Sequence, residues 1–291
     1  MDANASGLVS IIIPVFNEEA AIGDDLDTII ATMRDSGYQY EIIVVNDGST
    51  DRTVEIVSAR DEVRLISHPY NRGTGAARTT GIREARGSII VMTDGDGTYP
   101  NHEIPALVSF LGEYDTVIGA RRHERGTVRW LRSPAKLFIR LLASYLTRVK
   151  IPDLNSGFRA FRKEMAERYS GILPTTHSWV ATITIASLSD GYTVKFMPID
   201  YYPRKGRSTF HPIADTYNYL SLVVRAVMYF DPLRIFLPVA LSLLTLGVGK
   251  MVYDIFAYDF HFAPSTVTIL LAAIQLGAVG LLADLIVRRQ K

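Results

Sequence analysis

Leu8-Val-Ser-Ile-Ile-Ile-Pro-Val-Phe16 is an almost continuous apolar run, and polar residues follow it directly. A short apolar run rich in β-branched residues is typical of a strand buried on both faces. Residues 41–46 and 88–93 repeat the pattern, and the segments between them have helical periodicity. Strands that alternate with helices predict βαβ units, so we expect an α/β fold with a parallel sheet.

The remaining elements of this first half follow from the same periodicities. A helix is expected to start at residues 17–19 and to continue to residue 33, and a further strand is expected at residues 116–118. Residues 161–169 have the spacing of a helix. Together these segments predict one nucleotide-binding α/β domain.

Each of the first three predicted strands ends in polar residues. Asn17 and Glu18 follow the first strand, Asp47 follows the second, and Asp94 and Asp96 follow the third. Open α/β sheets bind ligands outside the carboxyl ends of their strands. We therefore expect these side chains to converge on one crevice.

A simpler explanation exists for each motif taken alone. Asp47, Gly48 and Ser49 are also the residues of a turn and a helix cap, and Asp94-Gly-Asp96 is compatible with an ordinary loop. Two carboxylates separated by one glycine nevertheless offer hard oxygen ligands to Mg²⁺ or Mn²⁺. Diphosphate and water would supply the other ligands, so we predict a divalent cation at Asp94 and Asp96.

Composition and charge exclude several classes of function. The 291 residues contain no cysteine, which rules out a disulfide scaffold and a cysteine nucleophile. Residues 1–120 are strongly acidic, residues 121–150 contain nine Lys or Arg and one acidic residue, and residues 151–291 are mildly basic. A basic segment outside the acidic domain argues against a nucleic-acid partner. An anionic membrane surface or a phosphorylated ligand is the better match.

Two long apolar segments near the end of the sequence predict membrane spans. Residues 233–253 and 260–283 are each long enough to cross a bilayer, and a connector with Asp254 and Asp259 separates them. Basic residues flank the pair on both outer sides, so the positive-inside rule predicts that both termini are cytoplasmic. A buried helical hairpin is the alternative.

This pattern predicts three regions along the chain. Residues 1–210 would form the catalytic domain, including a basic interface segment at 121–150. Residues 211–231 would form an interfacial helix, and residues 232–291 a two-helix transmembrane region. The two predicted spans could also mediate self-association, but no sequence feature supports this.

Five motifs occur together and in order: Pro14-Val-Phe-Asn-Glu18, Val45-Asn-Asp-Gly-Ser-Thr-Asp51, Arg72-Gly-Thr-Gly-Ala-Ala-Arg78, Asp94-Gly-Asp96 and Asn155-Ser-Gly-Phe-Arg159. In this order they resemble the family 2 glycosyltransferases of GT-A fold. With two carboxy-terminal spans, the chain is similar to the polyprenyl-phosphate branch, which includes dolichol-phosphate mannose synthases.

The resemblance implies roles for donor-side residues. Asp96 matches the residue that binds the divalent cation, and Asp94 matches the residue near the ribose and the metal. The implied nucleoside pocket contains Pro14, Val15, Asn17, Glu18, Asp47 and Asp94. Many lipid-phosphate members have Leu-Gln where this chain has Gly97 and Thr98, which puts an extra metal ligand in doubt. Whether Arg72 or Arg78 contacts diphosphate or pairs within the protein stays open.

The resemblance also implies an acceptor side. Asp94, Asp96, Asp153 and Arg121 would carry the transfer, with Asp153 orienting the reactive centre. A turn at Ser156, a pair between Asp153 and Arg159 and a role for Arg204 are the alternatives. His177 is either a reader of the sugar or an ordinary loop residue. The implied acceptor and phosphate contacts are Arg121, Arg132, Lys136, Ser156, Lys205 and Arg207.

The implied activity is that of a membrane-anchored, metal-dependent, inverting glycosyltransferase. It would move a single hexose, mannose or glucose, from GDP-mannose or UDP-glucose to polyprenyl (dolichyl) phosphate at the cytoplasmic face of a bilayer. Two alternatives are a transferase that acts on the hydroxyl of a lipid-linked glycan and an inactive sugar-nucleotide sensor or scaffold.

Overall fold

A computed structural model describes residues 7–122, 141, 143–145, 147–176, 178–204, 228, 231–257 and 262–289. The chain divides into two compact units, Met1–Leu220 and Ser221–Lys291. The first unit contains a β-sheet with helices, and the second contains two long helices.

The strands of the first unit are β1 (Val9–Val15), β2 (Tyr40–Asn46), β3 (Val63–Ser67), β4 (Ile89–Met92), β5 (Thr116–Arg121), β6 (Arg159–Arg162) and β7 (Val194–Ile199). The helices whose bounds the described residues define are α1 (Ile22–Asp35), α2 (Thr53–Ser58), α3 (Thr74–Glu84), α4 (Ile104–Ser109), α5 (Lys163–Arg168) and α6 (Trp179–Ser189). Short 3₁₀ turns lie at Asn101–Glu103 and Phe110–Gly112.

The described strands form one 7-stranded sheet in the order β3-β2-β1-β4-β6-β5-β7. β1 pairs in parallel with β2 and β4, and β2 pairs in parallel with β3. β6 runs antiparallel to both β4 and β5, whereas β5 and β7 are parallel. The expected α/β class is confirmed, and the sheet is mixed rather than purely parallel.

The hydrophobic core of this unit lies between the sheet and the helices α1 and α4. β1 and β4 are buried along their whole length, as their apolar sequences predict. α1 turns Ile22, Leu26 and Ile29 toward them, at the spacing of one helical face. The carboxyl ends of β1, β2 and β4 are thereby held at one edge of the sheet, which we call the carboxyl edge.

Two predicted boundaries are wrong. α1 begins at Ile22 rather than at residues 17–19, because Asn17 has a left-handed backbone (φ 55°) that cannot continue a helix. The predicted helix at 161–169 is limited to Lys163–Arg168, since Phe161 belongs to β6 and pairs with Ile90 of β4. Pairing with distant strands overrides the local helical spacing there.

β5 ends and β6 begins at the carboxyl edge of the sheet. β5 ends at Arg121, and antiparallel β6 begins at Arg159, opposite Ile118 of β5 and Met92 of β4. The Gly119 N–H donates to the Phe158 carbonyl at 2.8 Å. The chain therefore leaves β5 and enters β6 at neighbouring points of the sheet.

The second unit contains α7 (Leu233–Ala257) and α8 (Pro264–Arg289), numbered on from the first. Both are long and apolar enough to cross a membrane, with mean hydropathies of 1.9 and 2.2 over their spanning windows. Asp254 was expected in the connector between the two spans, but it lies within α7. It is fully buried, accepting bonds from Lys250 Nζ and the Ala263 N–H at 3.0 Å each and from the Thr266 hydroxyl.

Candidate active site

The loops that follow β1 and β2 are hydrogen-bonded to each other at the carboxyl edge. The Asn17 N–H donates to Ser49 Oγ at 3.0 Å, and the Thr50 N–H donates to Asn17 Oδ1 at 2.8 Å. The Glu18 N–H donates to Thr53 Oγ1 at 2.9 Å, which leaves the Glu18 side chain almost buried beside the sheet. The structure thus brings Asn17 and Glu18 next to the residues after Asp47.

Asp47 holds the glycine-rich segment 71–78. Its carboxylate accepts the backbone N–H groups of Arg72 at 2.9 Å and Gly73 at 2.8 Å, and it lies 2.7 Å from His68 Nδ1. The other ring nitrogen of His68 lies 2.9 Å from Thr80 Oγ1 on α3. Asp47 is almost fully buried, and its described contacts are these internal ones.

Asp94 and Asp96 follow β4 and have different partners. Arg78 Nη2 donates to Asp94 Oδ1 at 2.8 Å, so the alternative of an internal partner for Arg78 is the one observed. Asp96 is more deeply buried, and Thr98 Oγ1 donates to its Oδ1 at 2.5 Å. Thr98 thus contacts Asp96 itself at the position where related sequences have glutamine.

A third carboxylate, Glu18, lies within the electrostatic reach of this pair. Burial raises the pKa of Glu18 to about 7, and the negative charges of Asp96 and Asp94 act in the same direction. Burial and the charge of Asp94 likewise raise the pKa of Asp96. Arg204 supplies counter-charge, because its guanidinium pairs with Glu18 and lies 3.6 Å from Asp96 Oδ2. The arrangement concentrates negative charge at one point of the carboxyl edge.

The donor set suits a divalent cation in part. No group of three or more His, Asp or Glu side chains that could hold a metal occurs among the described residues. Asp94 and Asp96 therefore offer two hard oxygen ligands, and phosphate oxygens and water would complete the shell. Burial and, after it, the charge of Asp94 raise the pKa of Asp96, and a bound cation would offset both effects.

Arg121 and Asp153, the residues predicted for the acceptor side, form an ion pair. Arg121 Nε donates to Asp153 Oδ2 at 2.6 Å, and Nη2 donates to Oδ1 at 2.9 Å. Burial raises the pKa of Asp153, but the hydrogen bonds and charge of Arg121 outweigh it and hold that pKa below its usual range. The Arg121 guanidinium also lies 5.1 Å from the ring centroid of Tyr201.

Arg159 is not the partner of Asp153, so that alternative is wrong. It is fully buried and donates to the carbonyls of Ser156 and Val180 and to Thr184 Oγ1. Burial lowers the pKa of Arg159 to about 9. The Ser156 hydroxyl is also fully buried and has no hydrogen-bond partner within the described part of the chain.

Gly157, in the loop before β6, lies against the residues that follow β4. Its N–H donates to the Tyr99 hydroxyl at 2.8 Å, and Tyr99 stacks on Phe158 with ring centroids 5.5 Å apart. A Cβ atom on Gly157 would lie 2.8 Å from Asp94 Oδ2, so a side chain at this position would displace the Asp94 carboxylate. The loop before β6 is therefore in direct contact with the acidic cluster.

Some predicted residues lie outside the described residues: Arg132, Lys136, His177, Lys205, Arg207 and nearly all of the predicted helix at 211–231. Pro14 and Val15 are buried in β1, and the Val15 side chain belongs to the core. Sequence reasoning missed Asp25, whose carboxylate contacts the Asp94–Thr98 loop. Its position on the apolar face of α1 was the signal available.

Residues 10–170 match the family model described as glycosyl transferase family 2. Residues 231–288 match the model described as the GtrB C-terminal hairpin. The crystal structure of glucosyl-3-phosphoglycerate synthase from Mycobacterium tuberculosis with Mn²⁺, UDP and phosphoglyceric acid is similar, with a TM-score of 0.63 and 22% identity. The match covers 77% of this chain and 79% of that one. The expected GT-A fold is confirmed.

Several curated relatives are named for polyprenyl-phosphate substrates. An undecaprenyl-phosphate 4-deoxy-4-formamido-L-arabinose transferase of Pseudomonas paraeruginosa is 35% identical over 55% of this chain and 48% of its own length. A dolichyl-phosphate β-glucosyltransferase of Trichomonas vaginalis is 33% identical over 53% of this chain and 52% of its own length. This chain thus spans about half the length of these two relatives. A dodecaprenyl-phosphate galacturonate synthase of Rhizobium johnstonii is 27% identical over 96% of this chain and 88% of its own length.

Proposed function

Because the chain belongs to glycosyl transferase family 2, we propose that it transfers a single hexose from a nucleotide-diphosphate sugar to a polyprenyl phosphate. The observation that carries this proposal is the contact of the loop before β6 with the acidic cluster at Gly157 and Asp94. That contact makes one site from a part suited to a diphosphate sugar and a part suited to an anionic acceptor. The names of the relatives support a lipid phosphate as that acceptor.

The donor would bind at the carboxyl ends of β1, β2 and β4. The proposed nucleoside pocket is formed by Pro14, Val15, Asn17, Glu18, Asp47 and Asp94. Mannose from GDP-mannose and glucose from UDP-glucose are the two donors we propose. The relatives are named for formamido-arabinose, galacturonate and glucose, so the sugar has to be identified with a panel of donors.

Asp94 and Asp96 are the residues proposed to hold Mg²⁺ or Mn²⁺. The Mn²⁺ in the mycobacterial crystal structure supports a divalent cation in general. When bound, the ion would offset the negative charge that develops on the departing nucleoside diphosphate. The protein's own contribution is to hold both carboxylates on one short loop, with Thr98 bonded to Asp96.

The acceptor needs no general base, because a polyprenyl phosphate oxygen is already anionic at neutral pH. In the proposed reaction this oxygen bonds to the anomeric carbon while the bond from that carbon to the diphosphate oxygen breaks, with inversion. Asp153 pairs with the guanidinium of Arg121 and would orient it toward the acceptor phosphate. The other proposed phosphate contacts are Arg132, Lys136, Ser156, Lys205 and Arg207.

We place the protein in a membrane through α7 and α8, with both termini cytoplasmic. The end of the basic segment supports contact with a lipid surface. Leu141 and Tyr145 are 57% and 61% exposed, and they line an open groove of about 520 Å³ together with Arg148 and Lys150. Apolar side chains beside cations suit the headgroup region of an anionic bilayer.

A transfer assay with the full-length protein tests this proposal. Purified protein in detergent would be incubated with Mg²⁺ or Mn²⁺, a short polyprenyl phosphate and a panel of nucleotide sugars, followed by mass spectrometry of the extracted lipid. We expect a mass increase of one hexose with one donor. Donor consumption without this product would indicate a hydroxyl acceptor, and no consumption would indicate a sensor or scaffold.

A further inference from the structure

Asp25 is a buried carboxylate on the apolar face of α1. It is 7% exposed and lies at helical spacing from Ile22 and Ile29, which belong to the core. A carboxylate in such surroundings is costly unless hydrogen bonds satisfy it. The identity of its hydrogen-bond partners therefore decides what the residue does.

Both oxygens of Asp25 accept hydrogen bonds from the segment that follows β4. The Gly97 N–H donates to Oδ2 at 2.8 Å, and Asn101 Nδ2 donates to Oδ1 at 2.8 Å. Asn101 in turn accepts the Thr93 hydroxyl at 2.7 Å through its own Oδ1. Asp25 is thus bonded directly to the residue after Asp96 and, through Asn101, to the residue before Asp94.

The backbone of Gly97 makes the first of these bonds a strong constraint on the loop. Gly97 has φ 75°, in the left-handed region that most side chains disfavour by about 1 kcal/mol or more. Its N–H is directed at Asp25, and the next residue, Thr98, donates to Asp96. The glycine at this position and the buried carboxylate on α1 therefore form one arrangement, and Leu at residue 97 would strain it.

We infer that Asp25 is a positioning residue for the cation-binding carboxylates, acting through Gly97 and through Asn101 and Thr93. It holds the loop at two points, so that Asp94 and Asp96 keep one orientation. The inference rests on the proposed function only in taking Asp94 and Asp96 as the cation ligands. Hydrogen-bond partners behind metal ligands typically change metal affinity by about 10- to 100-fold when removed.

Two substitutions at Asp25 separate positioning from simple burial. Asp25→Ala removes both acceptors. Asp25→Asn keeps one oxygen for the Gly97 N–H, and the new amide group can donate to Asn101 Oδ1 if the Asn101 amide turns over. Asn101 Nδ2 would then face the Thr93 hydroxyl, which accepts a hydrogen bond as readily as it donates one. Asn101→Ala is an independent test of the second connection.

Binding of Mn²⁺ alone to the full-length protein, measured by electron paramagnetic resonance, is the main readout, with the melting temperature beside it. We expect Asp25→Ala to weaken Mn²⁺ binding by about 10-fold or more and Asn101→Ala to weaken it too, while Asp25→Asn stays within about 3-fold. Ile29→Ala is the matched control, since it opens a cavity on the same face of α1. It should lower the melting temperature without changing Mn²⁺ affinity.

The inference is overturned if Asp25→Ala binds Mn²⁺ like the parent protein, or if Ile29→Ala weakens binding equally. A parent protein that binds no Mn²⁺ would also overturn it. The measurement uses neither sugar donor nor lipid, so a failure of the proposed transfer reaction is seen separately, in the assay for the glycolipid product.

Discussion

The guanidinium of Arg121 and the carboxylate of Asp153 face each other in a two-point ion pair, with N–O distances of 2.6 and 2.9 Å. The pair joins the end of β5 to the loop before β6, and its side chains are only 12% and 9% exposed. Charges this deeply buried depend on each other, because neither can recover its hydration while the fold persists.

Asp153→Ala should therefore destabilise the first unit. It leaves the Arg121 guanidinium buried without its carboxylate, which typically costs about 3 to 5 kcal/mol. Thermal and denaturant unfolding in detergent would measure the loss. The double variant Arg121→Ala with Asp153→Ala should lose less than the sum of the single variants, and strict additivity would contradict the pairing.

Asp96→Asn should reduce hexose transfer by about 100-fold or more, because it removes a charged cation ligand from the point where negative charge develops. The rate would be measured over a range of Mn²⁺ concentrations. Asp61→Asn makes the same chemical change at an exposed residue, and it should transfer at the parent rate. Equal rates of hexose transfer for the two variants would contradict the role of Asp96 as a cation ligand.

Arg204→Gln should make the protein more responsive to Mn²⁺. The Arg204 guanidinium lies beside Glu18 and Asp96 and competes with a cation for the same negative charge. Without it, the cation-free protein should melt at a lower temperature, and Mn²⁺ should raise that temperature by more than in the parent. Arg52→Gln, which breaks an exposed pair with Glu19, is the control. An identical Mn²⁺ response in all three proteins would argue against competition.

The pH dependence of stability should report on Glu18. Burial raises its pKa from 4.5 to about 7, so the folded state binds this proton more tightly than the unfolded state does. The resulting stability is complete below pH 4.5 and is lost as the pH rises toward 7. Melting temperatures of the cation-free protein should fall across this window, and Glu18→Gln should make the fall smaller, while Asp25, whose pKa burial also raises to about 7, keeps its share. Glu55→Gln, at an exposed position, should leave it unchanged.

The sequence was sufficient for the parts of the fold that depend on local pattern. The apolar strands β1, β2 and β4 and the two long helices were all predicted from composition and periodicity. The polar ends of those strands predicted the acidic cluster, because parallel strands place their carboxyl ends at one edge.

The sequence alone did not predict the pairings between distant segments. β6 contains only Ala160 and Phe161 between two arginines, so its strand character comes from β4 and β5 on either side. The partner of Asp153 depended on where β5 ends, and sequence proximity wrongly suggested Arg159. Arg204 and Asp25 reach the acidic cluster from separate elements, and no spacing rule relates them to Asp96.

The junction of β5 with β6 has a consequence for where the first unit can accept changes in chain length. The pairing of Ile118 with Arg159 and the bond from the Gly119 N–H to the Phe158 carbonyl fix the two points at which the chain leaves and re-enters the sheet. The entropic cost of closing a segment between two such points grows slowly with its length, by about 0.6 kcal/mol for each doubling. Insertions between Arg121 and Arg159 should therefore be tolerated without loss of the pairing among β1, β2 and β4.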